Sequence, residues 1–198
     1  MKKQTIFILF ITLIMSAITN AQSPKATDYL KVPGPIVFDN QAYLLSWSSH
    51  PAANFYKQEY IVKGDNPDQF KTMILTDVVT GEAEIKKVVG AKIAELKQMK
   101  ASNPVVNYEV ISNPKTGEYL LDFLLSANNA DGSMSVVERN VYRYKTFTDK
   151  AGHKGVQLFG VSTRSYGAAI DKFFTALKAT RKDLINKVSL YKMPEIKI

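Results

Sequence analysis

The chain has 198 residues, 45% of them hydrophobic, no cysteine, and a formal charge of +8 at neutral pH. That length and apolar content suit one domain with a sizeable core. The missing thiols exclude disulfide staples, thiolate metal sites and a lipid-modified N-terminal cysteine. The positive charge falls as scattered lysines rather than as a basic patch interleaved with aromatics, so nucleic-acid binding is not expected.

Lys2 and Lys3 precede the apolar run Ile6–Met15, and small residues follow as far as Ala21. This order of charge, grease and small residues is that of a secretory signal peptide over residues 1–21, cleaved before Gln22. The run is shorter than the roughly 20 apolar residues a spanning helix needs, so no membrane span is expected after cleavage. The expected destination is the periplasm, with release from the cell as the other possibility, and a lipoprotein is excluded. Residues 22–35 hold three prolines and a glycine and read as an extended lead-in. Residues 36–198 are then expected to form a single domain.

Strand patterns open that domain. Tyr43, Leu45 and Trp47 alternate onto one face, with Trp47 expected to anchor the core, and Leu44, Ser46 and Ser48 fall on the other. Asn54–Val62 is a second strand, reached through a turn or bulge at Pro51. The Gly64–Pro67 break leads to a third strand, Phe70–Val79. Ile85, Val88, Val89, Ile93 and Leu96 then recur at helical spacing, with a start expected at Thr80 or Gly81 and with Glu82 and Glu84 in the first turn. Four strands follow, Val105–Ile111, Tyr119–Ser126, Ser135–Phe147 and Val156–Thr163, joined by Asn/Asp/Gly turns that suit a meander. Ile170, Phe173, Phe174, Leu177, Leu184 and Val188 mark a closing helix, with Leu190, Tyr191 and Met193 tying down the tail.

The expected fold class is therefore α+β, an antiparallel sheet of about seven strands packed by two amphipathic helices in the order βββαββββα. The helices have either one face to share or one face each. This order of elements resembles the α/β sandwich of the PsbP-like group of exported or lumenal proteins. The text Leu44–Pro67, with its Trp-Ser near one strand end and Tyr-Lys-Gln-Glu-Tyr in the next, is also similar to uncharacterised secreted bacterial proteins. The PsbP-like resemblance implies a non-catalytic assembly or accessory role and brings no catalytic residue.

The candidate chemistry is thin. Ser48, Ser49 and His50 lack the Gly-x-Ser-x-Gly elbow of a hydrolase, and neighbouring residues on a strand point to opposite faces. His50 and His153 are the two histidines, too few and too isolated for a zinc site. The Asn128–Gly132 turn has Ala127 where a calcium loop needs an acid. Glu59, Asp122 and Glu138 lie within strands, where glycoside chemistry would need two of them to face each other. No cofactor is expected. The remaining signal is aromatic and cationic. Arg139 and Arg143 share one face of a strand, Tyr144 takes the other, and Tyr56 and Tyr60 line a second strand, residue types suited to a partner or ligand surface. The expectation is a non-catalytic binder of an envelope protein. The alternative is a carrier or sensor of a small apolar ligand held between the sheet and the Ile170–Val188 helix, and a hydrolase comes third.

Overall fold

The structure, a computed structural model, describes residues 26–32 and 34–198; the expected signal peptide lies outside the described residues. Eight strands and two helices follow in order. They are β1 (Ile36–Phe38), β2 (Gln41–Ala52), β3 (Phe55–Val62), β4 (Thr72–Thr80), α1 (Ile85–Lys100), β5 (Asn107–Asn113), β6 (Glu118–Asn128), β7 (Met134–Thr148), β8 (Lys154–Tyr166) and α2 (Ile170–Leu190). The unexpected strand is β1, whose three residues are too short to show a period of two.

All eight strands form one antiparallel sheet in the order β1-β2-β3-β4-β8-β7-β6-β5, curled into a half-barrel. Two four-stranded meanders meet at the β4–β8 ladder, which runs from Thr72 opposite Thr163 to Thr80 opposite Gly155. The chain leaves the sheet centre at β4 and must restart at the far edge, four strand spacings or about 19 Å away. The 16 residues of α1 cover that crossing, at about 24 Å of helix.

Each helix takes one face. Along β4, Ile74 and Val78 point to the α2 side, while Met73 and Leu75 point to the α1 side. The α2 core adds Val141, Phe159, Val161 and Val188, plus Leu30 and Val32 from the lead-in and Met193 and Ile196 from the tail. The α1 core adds Leu121, Phe123, Tyr144, Leu158, Val89 and Leu96. Buried Gln58 holds the lead-in: its Oε1 accepts from the Leu30 amide (2.9 Å), and its Nε2 donates to Asp28 (3.1 Å) and to the Tyr60 hydroxyl (2.6 Å). In the tail, Tyr191 stacks on Phe159 and the Lys197 amide donates to the Leu30 carbonyl, whereas Leu190 is 85% exposed and anchors nothing.

Two local expectations change. The register slips between Leu45, opposite Tyr60, and Trp47, opposite Glu59, so a bulge at Ser46 turns Trp47 to the other face. Trp47 is 43% exposed beside the Lys57 ammonium, not in the core. Helix α1 starts at Ile85, because Thr80 still pairs with Gly155 and Gly81 turns the chain at φ +93°. Glu82 and Glu84 therefore precede the first turn, with Glu84 as its cap residue.

The central ladder tolerates no added bulk at Gly155, where a Cβ would lie 2.0 Å from the Val79 carbonyl oxygen. Gly155→Ala is expected to cost about 1–3 kcal/mol in urea unfolding. Gly90→Ala, on the open face of α1, should instead stabilise by up to about 1 kcal/mol.

Candidate functional site

The apolar stripe of α2 is longer than the part of it that is buried. Ile170 and Val188 are its buried residues, and Phe173, Leu177 and Leu184 between them remain half-exposed. The helix is seated midway and at its C-terminal end by two arginines that β7 projects onto this face. Arg143 Nη1 donates to the carbonyls of Tyr191 (2.8 Å) and Val188 (3.4 Å). Helix-end carbonyls have no partners within the helix and carry the negative end of its dipole, so a guanidinium satisfies both. Its Nη2 pairs with Glu118 at 2.8 Å.

Arg139 is 3% exposed and reaches the helix midway, donating to the Arg181 carbonyl at 2.8 Å. It also donates to both oxygens of Asp122 on β6, at 2.9 and 3.3 Å. Asp122 receives a further hydrogen bond from the Arg181 side chain at 2.8 Å, and Arg181 pairs with Glu109 on β5 as well. A buried carboxylate between two guanidiniums has its charge and lone pairs answered, which is the condition for burying an ion at all.

Beyond this network the helix stands off the sheet. A groove of about 240 Å³ opens between Phe173, Leu177 and Leu184 of α2 and Thr163, Ser165 and Arg139 of the sheet. Phe173, Ala176, Leu177 and Leu184 give it an apolar side, and Arg139, Arg164, Asp183 and the hydroxyl residues Thr163, Ser165 and Thr180 give it a polar and charged one.

The residues expected to form an exposed recognition surface do not share one. Tyr60, Arg139 and Tyr144 are buried, because their strands lie inside a sheet covered on both faces. Tyr144 faces α1 and the other four face α2. Tyr56 is half-buried under His50, whose ring stacks on it at 4.1 Å. Arg143 is half-buried as the helix clamp. Of the five, Arg139 lines the groove. Leu177 and Leu184 were visible as part of the stripe; that they would stay uncovered was not.

The histidines and serines have other occupations. Ser46 donates to the Glu59 carbonyl, and His153 Nδ1 lies 2.8 Å from Asp149 in the β7–β8 turn, a hydrogen bond that holds the Asp149 carboxyl down to about 2. Among the described residues no three His, Asp or Glu gather as metal ligands. The three strand carboxylates do not gather in one place: Asp122 is on the α2 face, and Glu59 and Glu138 are on the α1 face, where Glu138 pairs with Arg164 and adds to the raising of the Glu59 carboxyl that burial mainly causes. The acid that stands out was hidden in an apolar strand. Asp77 lies on the α1 face of β4, and burial pushes its carboxyl up to about 7.

Removing one member of the buried ion network exposes its cost. Arg139→Met should lower stability by roughly 3–5 kcal/mol in urea unfolding, because the buried Asp122 carboxylate loses the guanidinium that donates to both its oxygens. The double variant Arg139→Met with Asp122→Leu should recover much of that loss.

One family model matches residues 30–193. No curated protein and no solved structure matches the chain. The matched span takes in all eight strands, both helices and the groove, and the chain belongs to this family.

Proposed function

We propose that this is an exported, non-catalytic protein of the cell envelope that binds a macromolecular partner, as an accessory or assembly factor, through the groove beneath α2. The observation that carries the reading is the half-exposed row Phe173, Leu177 and Leu184, which forms the apolar side of a groove between α2 and the sheet. Apolar side chains left at a groove rather than buried are the usual mark of an interaction surface. The groove volume of about 240 Å³ is below the ~300–1,000 Å³ typical of sites that enclose a small molecule. It fits one or two large side chains, the anchors that dominate binding energy at protein interfaces. The buried ion network gives such an anchor a rigid floor. The resemblance to PsbP-like proteins, carried by the expected order of elements, points the same way. Among the described residues no helix is long and apolar enough to cross a membrane.

A photo-cross-linking residue at position 177, in the chain within its native envelope, tests the groove. A defined protein adduct that is absent when the probe sits at exposed position 178 is the expected result. A lipid or small-molecule adduct at 177 would transfer the site to an apolar-ligand carrier, and no selective adduct would remove it. Export is checked separately. The mature protein should begin at Gln22, and recovery of a chain starting at Met1 would overturn the envelope assignment.

A further inference from the structure

The sheet ends in two edges, and the fold guards them unequally. An open edge offers a row of backbone N–H and C=O groups to any strand that arrives, and proteins blunt it with short strands, bulges, proline or lysine. The β1 edge has such devices: β1 is three residues long, and β2 behind it holds the bulge at Ser46 and Pro51. The β5 edge has none of them. Its seven residues pair with β6 without a register shift and include no lysine and no proline. Strand β5 is last in the sheet order. Among the described residues, no backbone hydrogen bond outside the β6 ladder reaches Tyr108–Ser112.

The side chains leave this edge open to a neutral partner. Tyr108, Val110 and Ser112 point to the α1 side, and Val110, in the middle of the strand, is 38% exposed. Glu109 and Ile111 point to the α2 side. Glu109 is the one charge in β5, and Arg181 already pairs with it. The chain has a formal charge of +8, so two copies repel across most of their surfaces. A strand without lysine, whose single acid is answered from within, is where they can approach.

We propose that β5 pairs with the β5 of a second copy, antiparallel and about a two-fold axis at Val110, joining two sheets into one. The strand is self-complementary in this register, as a two-fold contact requires. Val110 lies beside its own copy, Tyr108 opposite Ser112, Glu109 opposite Ile111, and Asn107 opposite Asn113. No like charges stand directly opposite, and the exposed valines cover each other at the centre. The strand thus matches itself at its first, middle and last positions, which favours a copy over an unrelated strand. An axis perpendicular to the sheet keeps each face with its like, so both α2 grooves open on the same side. That arrangement suits a partner with two anchors. The pairing itself does not depend on the groove reading, because it is measured with no partner present.

Sedimentation equilibrium of the purified mature chain tests the pairing. A monomer–dimer equilibrium in the micromolar-to-millimolar range is expected, since a seven-residue ladder is a small interface. Val110→Lys and Val110→Glu should each weaken association by about tenfold or more, because each sets like charges side by side at the axis. Their equimolar mixture should recover the dimer, as opposite charges then meet there. In hydrogen–deuterium exchange of the unaltered chain, alternate amides of β5 should gain protection as concentration rises. A chain that stays monomeric, a dimer that survives both single variants, or a mixture that does not associate overturns the proposal. Should a variant not fold, the exchange measurement decides, and β5 amides indifferent to concentration overturn it.

Discussion

The ladder between β4 and β8 is the contact on which the remaining structure depends. Each four-stranded meander is built from local antiparallel pairings, and neither has a partner for its inner edge until the other arrives. Closing the ladder joins residues some 75 to 91 positions apart, from Thr80 opposite Gly155 to Thr72 opposite Thr163. It also creates two continuous sheet faces from what were separate halves. Gly155 and Gly160 sit on the β8 side of this seam, where the Val79 carbonyl and the Tyr142 ring come too close for any side chain. With the seam closed, both faces need cover, and the chain supplies one helix for each.

The two faces meet that need differently. On the α2 side, charge is answered within the fold: Asp122 lies between Arg139 and Arg181, and Arg143 caps the helix end. This fixes the C-terminal half of α2 and leaves its first turns standing over a groove. On the α1 side, apolar contacts hold the helix and the central acid, Asp77, is left without a partner for one oxygen. One helix is therefore clamped by charged contacts with a groove beside it, and the other is held by apolar packing.

The periodicity made much of the fold legible. The alternation in Phe55–Val62 and Thr72–Thr80 and the stripes at Ile85–Leu96 and Ile170–Val188 correspond to elements that formed. The candidate site was less legible, for identifiable reasons. Arg139 and Arg143 read as surface residues because arginine usually is one; that β7 lies in the sheet interior, under a helix, depends on pairing partners distant in sequence. Trp47 read as core because strict alternation puts it with Tyr43 and Leu45, and a single bulged residue reverses that parity. Asp77 drew no notice because an acid in an apolar strand is unremarkable until its neighbours are known.

The amino-acid sequence by itself determined the alternation of the longer strands apart from the bulge in β2, the stripe of each helix, the turns between β5 and β8 and the absence of thiol chemistry, since these are local in the chain or matters of composition. The tertiary structure alone decided that the helices take opposite faces, that β8 closes on β4, and that α2 stays partly uncovered. It also decided which charges are paired. Those outcomes depend on register, and register is set by which residues oppose each other across strands that the chain visits far apart. A carboxylate becomes a clamp at Asp122, and at Asp77 an acid with one oxygen left without a hydrogen bond, through its neighbours in space, which its neighbours in sequence do not reveal.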